Sequence, residues 1–235
     1  MTTSASPADP SRVRRVGSFQ ELLTTPMANG VNALCWERTL AGDFGEVARA
    51  LGSGEGIVAI DEERLRTLAV SAAGRTAIDF MLADRRRLQE QGLAPELNII
   101  HAYPRDEEAE GIPTDVFSFH ADSAPIQADT WLCTYFGPSS EGLLNEEALH
   151  RVEVPETRAE LLRCFGGTEG EDFEEFLRDQ CYDLHYAPRP GARPYVFGVG
   201  NLWRIACQTP NNPVPPCIHR APETKPGEVR LMMIS

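Results

Sequence analysis

The spacing of apolar residues divides the chain into a helical first part and a strand-rich second part. Between residues 17 and 94, apolar side chains recur at the spacing of one face of an α-helix. The predicted helices cover 18–23, 43–51 and 61–91, and short apolar runs that suit strands lie at 31–38 and 57–60. Gly92 ends the longest helix, and Gly74 is a point at which that helix can divide.

After residue 95 the chain changes to short runs of aromatic and β-branched residues separated by glycine and proline. The predicted strands are 97–103, 115–121, 130–136, 150–154, 195–199, 202–207, 216–219 and 228–234. Two helical patterns, ETRAELLRCF and EDFEEFLRDQCY, interrupt this series and predict a helical insertion over about 155–194. The expected fold is α+β, in which helices over 17–94 support a barrel or jelly roll over 95–235. Residues 17–235 are expected to form a single domain after a disordered tail, 1–16.

Charge and cysteine content exclude several classes of protein. The 235 residues carry 22 Lys and Arg against 35 Asp and Glu, a net charge of −13, whereas a polyphosphate partner requires a basic surface. We therefore expect no nucleic-acid partner. The six cysteines form no C-x-x-C pair, the N-terminus lacks an apolar leader segment, and no stretch reaches 18 apolar residues. These features predict a cytoplasmic protein with reduced thiols and no membrane segment, and they leave its oligomeric state open.

The cations of the chain are almost all arginines, with Lys225 as the one lysine. A fixed anion site would therefore use arginine, which stays charged and binds a carboxylate through two parallel hydrogen bonds.

One short motif indicates metal chemistry. His120 and Asp122 stand two residues apart in VFSFHAD, so on a strand both side chains point to the same face. An imidazole and a carboxylate at one point are two of the three ligands of the facial triad that holds non-heme Fe(II). His219 follows Asp122 by 97 residues, and Arg230 follows His219 by 11 within an apolar C-terminal run.

This order of residues resembles the Fe(II)/2-oxoglutarate-dependent dioxygenase superfamily, whose fold is a double-stranded β-helix. The resemblance implies that His120, Asp122 and His219 are the iron ligands and catalytic residues. It implies that Arg230 binds the far carboxylate of 2-oxoglutarate. It also implies a hydroxylase that uses O2, releases succinate and CO2, and acts on a small-molecule or amino-acid-like substrate.

A second resemblance covers most of the chain, from about residue 31 onward. The segments VNALCWER, FHADSAPIQADTWLCTYFGPSSEGLL and HRAP are similar to an uncharacterised bacterial family known as a domain of unknown function. That resemblance implies the same metal-site pattern and gives no reaction. The segment GPSSEGLL differs from the G-P-G-T-x-W type run of that family, so the resemblance implies the metal ligands but not a function for this loop.

Further candidates surround the motif. Tyr135 and Trp131, with Thr134 between them, lie on the strand after the motif and are candidates for co-substrate binding, with core packing as the alternative. The candidates for substrate contact are His101, Arg220 and Trp203. For these three the alternatives are a buried core histidine, a cation at the cavity rim and a packing role. Selection of the substrate is expected from the N-terminal helices, the loop 104–114 and the insertion.

Several other interpretations stay open at this stage. His120 and Asp122 can form a structural hydrogen bond, His219 can belong to a loop, and Arg230 can pair with Glu223 or Glu228 at the surface. The alternative functions are a cupin-like metal enzyme that does not use 2-oxoglutarate and a non-catalytic β-barrel binding module. No G-x-S-x-G or H-E-x-x-H motif occurs. A Cys–His nucleophile stays open because spatial proximity is not visible in a sequence.

Overall fold

The computed structural model describes residues 12–106, 111–225 and 227–235. The described helices are α1 (Phe19–Thr24), α2 (Phe44–Leu51), α3 (Glu62–Thr67), α4 (Ala72–Gln89), α5 (Pro155–Phe165) and α6 (Glu171–Asp179). The first strands are β1 (Val13–Val16), β2 (Ala33–Trp36), β3 (Ile57–Ala59), β4 (Glu96–Ile100), β5 (Phe119–His120), β6 (Asp129–Phe136) and β7 (Glu141–Leu143). The remaining strands are β8 (Ala148–His150), β9 (His185–Pro188), β10 (Tyr195–Val196), β11 (Leu202–Ala206), β12 (Ile218–Arg220) and β13 (Arg230–Ile234).

The strands form two curled sheets, which confirms the α+β class and is compatible with a β-sandwich or a jelly roll. The seven-stranded large sheet has the order β1-β2-β11-β6-β13-β4-β3, and the six-stranded small sheet has the order β10-β7-β12-β5-β9-β8. Among the described strand pairs, β1–β2 is parallel and the others are antiparallel. The chain passes between the sheets at β5–β6–β7 and again at β11–β12–β13. Residues of both sheets line one cavity, so the inner sides of the sheets face each other.

Helices cover the outer face of the large sheet. Asp43, Asp61 and Ser71 cap helices α2, α3 and α4, because each side chain accepts a hydrogen bond from a backbone N–H three residues later. The apolar faces of these helices pack on strand residues such as Leu97 and Met233, and this cluster is the main core. A second apolar cluster, which includes Trp203 and Phe197, lies on the inner face.

Several predicted boundaries are wrong. Residues 1–11 of the predicted tail lie outside the described residues, but Val13–Val16 forms β1 and pairs with β2, so the tail does not reach residue 16. The long predicted helix over 61–91 breaks at Leu68, whose extended backbone ends α3, and restarts after Ser71. Gly74 lies inside α4, where a Cβ would stand 2.7 Å from Val70 Cβ, so glycine is needed there for close packing.

The helical insertion is shorter than predicted. Helices α5 and α6 pack against each other around Leu161, Phe173 and Leu177, with a small core of their own. His185–Pro188, inside the predicted insertion, forms β9 of the small sheet instead. The predicted strand 150–154 ends at His150 and continues as a short 3-10 turn. Across 12–106, 111–225 and 227–235, no helix combines the length and the apolar character needed to cross a membrane.

Candidate metal centre

His120, Asp122 and His219 meet at one point on the inner face of the small sheet. His120 on β5 stands directly opposite His219 on β12, and their ring centroids are 4.6 Å apart. The Asp122 carboxylate lies 3.8 Å from His120 Nε2 through Oδ1 and 3.7 Å from His219 Nε2 through Oδ2. One ligand atom from each of the three residues lies within 4.8 Å of the other two, which is close enough for a shared metal ion.

Strand alternation directs the two histidines inward. Phe119 and Ile218, the residues before them, pack in an apolar cluster on the opposite face of the small sheet. Asp122 lies just beyond the end of β5, where its carbonyl oxygen accepts a hydrogen bond from the Gln208 N–H at 2.7 Å. The backbone therefore fixes all three positions before any ligand binds.

Hydrogen bonds orient the three ligand groups. His120 Nδ1 lies 2.9 Å from the Ser118 carbonyl oxygen, and His219 Nδ1 lies 3.4 Å from that of Cys217. A carbonyl oxygen only accepts, so each Nδ1 carries the proton and each Nε2 lone pair points to the centre. Thr130 Oγ1 donates to Asp122 Oδ2 at 2.5 Å. Such outer contacts hold metal ligands in place.

The protonation states also suit a cation. Burial, with a smaller contribution from the nearby His219, lowers the pKa of His120 to about 4. Burial alone would raise the pKa of Asp122, but the two histidines and the Thr130 hydrogen bond outweigh it and lower that pKa. Near pH 7, His120 is therefore neutral and Asp122 is ionised, which are the forms that bind metal ions.

A buried arginine faces the same space from the large sheet. Arg230 is 1% exposed. Its Nη1 donates to the Tyr103 hydroxyl at 2.5 Å, and its Nη2 donates to Thr134 Oγ1 at 3.2 Å and Ser140 Oγ at 3.1 Å. Within the described residues, Nε has no hydrogen-bond partner and no carboxylate lies within 4.0 Å of the guanidinium. Burial lowers the pKa of Arg230, and Tyr103 offsets part of that effect.

The three ligand residues and Arg230 line one cavity of about 200 Å³. The other lining residues are mainly aliphatic and include Ile100, Leu132 and Met232 on the inner face of the large sheet. A site for a cation and a site for an anion thus share one apolar enclosure, which strengthens both electrostatic interactions.

Tyr135 and Trp131, predicted to bind the co-substrate, are on the wrong face of β6 for that role. Both pack in the main core beneath the helices, where the Tyr135 hydroxyl donates to Asp84 Oδ2 at 3.0 Å. The opposite face of β6 presents Thr130 and Thr134 to Asp122 and Arg230. The expectation for the two aromatic residues is therefore corrected to core packing.

The three predicted substrate residues also lie outside the cavity lining. His101 lines a separate surface pocket beside Gly54. Arg220 points to the outer face of the small sheet, where Nη2 pairs with Glu141 Oε2 at 2.6 Å. Trp203 is buried between the sheets, stacks on Phe197 and donates to its carbonyl oxygen at 2.8 Å. None of the three therefore lies in the cavity lining, and Trp203 has the packing role that was its alternative.

The structure lacks the contacts that the non-metal interpretations of His120, His219 and Arg230 predict. His120 and Asp122 are 3.8 Å apart, which is too far for a hydrogen bond, and His219 lies in strand β12. Glu223 binds Arg105 instead of Arg230. Glu228, the other predicted partner of Arg230, accepts a hydrogen bond from the Lys225 N–H.

Four residues near the site were not predicted from the sequence: Tyr103, Thr130, Ser140 and His185. His185 pairs with His120 across β5 and β9, and its Nδ1 lies 2.5 Å from Ser118 Oγ. Thr130 could have been found from strand parity, because it shares a face with Thr134, which was already a candidate, and not with Trp131 or Tyr135. Comparisons with protein-family models, curated proteins and solved structures found no match to the chain.

Proposed function

We propose that this chain is a cytoplasmic non-heme Fe(II)/2-oxoglutarate-dependent oxygenase that hydroxylates a small molecule. The observation that carries the proposal is Arg230: a buried arginine without a carboxylate partner in the described chain, in the same cavity as a His/Asp/His cluster. A buried unpaired charge is costly, so a bound anion is the natural partner for it.

The residues suit both groups that the proposal requires. Two imidazole nitrogens and one carboxylate oxygen are the protein ligands of a facial Fe(II) site, which leaves other coordination positions open. The unpartnered Arg230 Nε suits a carboxylate oxygen, because a guanidinium offers paired donors to a carboxylate. The hydroxyls of Tyr103 and Ser140 hold the other guanidinium nitrogens in place.

The arginine also favours this function over the alternatives. A cupin-like metal enzyme that binds no dicarboxylate has no use for a buried cation opposite the metal ligands. A non-catalytic binding module has no use for the three converging ligand groups. The two facing sheets, with the chain passing between them, are compatible with a double-stranded β-helix, which we propose as the finer description of the fold.

Each part of the site has a role in the proposed reaction. When bound, Fe(II) and 2-oxoglutarate supply the oxidative chemistry, in which O2 is consumed, succinate and CO2 are released and the substrate is hydroxylated. His120, Asp122 and His219 would hold the metal, and Thr130 keeps the Asp122 carboxylate turned towards it. Arg230 would bind the far carboxylate of 2-oxoglutarate and so fix the orientation of that molecule. The aliphatic wall would limit the access of water to the reacting groups.

An anaerobic titration tests the proposal. Addition of Fe(II) and then 2-oxoglutarate to the full chain should give a weak visible charge-transfer band. Arg230→Ala should weaken 2-oxoglutarate binding while metal content stays the same. Arg220→Ala is the matched control, because Arg220 lies on the opposite face of the small sheet and is paired with Glu141. Metal binding without the band in the wild-type chain would contradict the use of 2-oxoglutarate.

A further inference from the structure

Asn98 is a buried polar residue of the cavity that the proposed reaction leaves without a role. Leu97 and Ile99 on either side pack in the main core beneath the helices, so strand alternation turns Asn98 into the cavity that it lines. Asn98 is 6% exposed and stands beside Met232 of β13. Its carboxamide makes no hydrogen bond to the part of the chain that the structure describes. The amide atoms of Asn98 are not among the fully enclosed atoms without a partner, so they reach the cavity space and are available to a ligand.

The proposed function already uses every charged group of the described cavity lining. Besides the two histidine ligands, the charged residues among the described lining are Asp122 and Arg230. In the proposed function, Asp122 serves the metal and Arg230 serves 2-oxoglutarate. No charge is left to pair with an ammonium or a carboxylate of the substrate, and burial of such a group without a counter-charge costs several kcal/mol.

The cavity wall is suited to an aliphatic molecule. Ile57 and Ile234 line the cavity and are 50% and 39% exposed, so they lie where it opens to solvent. Deeper in, the wall is formed by Ile100, Leu132 and Met232. Its volume of about 200 Å³ is below the range of about 300–1,000 Å³ that is usual for drug-sized ligands. Because the metal and 2-oxoglutarate would share this space, it suits only a small substrate or a single inserted group.

We infer that Asn98 is the specificity-determining residue of this site and that the substrate is a small, uncharged, aliphatic molecule bearing a carboxamide or a similar neutral polar group. The inference rests on the proposed function, because that function commits Arg230 and Asp122 elsewhere. A carboxamide both donates and accepts, which matches the two kinds of group on the Asn98 side chain. The inference also narrows the expected substrate class, since a zwitterionic amino acid would leave both of its charges without partners.

Three probes with the same branched carbon skeleton separate the possibilities: 4-methylpentanamide, 4-methylpentanoate and 4-methylpentylammonium. Their binding is measured by saturation-transfer NMR on the full chain with Zn(II), a divalent ion without unpaired electrons, in place of iron. Each series is run with and without 2-oxoglutarate. With 2-oxoglutarate present, the wild-type chain should bind the amide at least tenfold more tightly than either charged probe, a difference of about 1.4 kcal/mol or more.

Two variants of nearly the same size test the residue itself. Asn98→Leu should weaken amide binding about tenfold and leave 2-oxoglutarate affinity within about twofold of wild type. Asn98→Asp should shift the preference towards 4-methylpentylammonium, because it supplies the missing negative charge. Thermal unfolding of both variants checks that the fold is retained.

The failure outcomes are distinct. If the wild-type chain responds normally to 2-oxoglutarate but binds the three probes equally, or binds none of them, the inference is overturned and the proposed function is not. If Asn98→Leu weakens 2-oxoglutarate rather than the amide, Asn98 contacts the co-substrate and the inference is wrong. If 2-oxoglutarate fails to bind but the amide preference and its loss in Asn98→Leu persist, the proposed function fails and the role of Asn98 stands.

Discussion

Thr130 offers a sharp test of how the site holds its metal ligands. Its hydroxyl donates to Asp122 Oδ2 at 2.5 Å, and the residue is 8% exposed. Thr130→Val keeps the shape and the β-branch of the side chain, so strand β6 should be undisturbed. The substitution removes the one side-chain hydrogen bond that the described residues donate to this carboxylate.

The magnitude follows from the charge on the acceptor. A hydrogen bond to a charged group contributes about 1.5–3 kcal/mol, and removal of such outer contacts costs about 10–100-fold in metal affinity. We therefore expect Thr130→Val to weaken divalent metal binding at neutral pH about 10–100-fold, with little change in the thermal unfolding midpoint. Competition between the protein and a chromophoric chelator for Mn(II) measures the affinity directly.

Thr134 provides the matched control on the same strand and the same face. It accepts a hydrogen bond from Arg230 Nη2 at 3.2 Å and makes no hydrogen bond to the ligand triad among the described residues. Thr134→Val should leave metal affinity unchanged and weaken 2-oxoglutarate binding severalfold, so the two variants should show opposite patterns. Equal effects of both variants on metal affinity, or none from Thr130→Val, would refute the reasoning.

Three further predictions concern stability. Tyr135→Phe should destabilise the protein by about 1–3 kcal/mol in chemical unfolding, because buried Asp84 loses a donor, and it should not change 2-oxoglutarate affinity. Arg230→Met should raise the thermal midpoint of the ligand-free protein by a few degrees, because it removes a buried charge without a counter-charge in the described chain; a lower midpoint would contradict this. Burial lowers the pKa of both His120 and His185 from 6.5 to about 4, so the unfolded chain binds more protons between these values. The free energy of unfolding of the metal-free protein, measured by urea titration, should therefore have its full value above pH 6.5 and decrease as the pH falls from 6.5 to 4. The decrease should be less steep in His185→Gln.

Much of the site could be predicted from the two-residue periodicity of a β-strand. The two-residue spacing of His120 and Asp122 predicts a shared face, and the structure brings their side chains together with His219. The approach of His219 could not come from periodicity, since 97 residues separate it from Asp122. It depends on β12 pairing with β5, a long-range contact that the resemblance implied and no local pattern encodes.

The failed predictions have two physical causes. Strand β6 is buried on both faces, so DTWLCTYF lacks the alternation of polar and apolar residues that would show which face meets the cavity. Trp131 and Tyr135 are large, and the wide space beneath the helices accommodates them. Strand β9, with the sequence HYAP, is too short and too close to proline and glycine to be recognised, and His185 was missed with it.

A crystal structure of the protein grown with Fe(II) and 2-oxoglutarate without oxygen tests the central claim most directly. The ion should lie about 2.0–2.2 Å from His120 Nε2, His219 Nε2 and an Asp122 carboxylate oxygen, with the far carboxylate of 2-oxoglutarate on Arg230. An ion bound elsewhere, or an Arg230 guanidinium that stays without a carboxylate partner at saturating 2-oxoglutarate, would contradict the account.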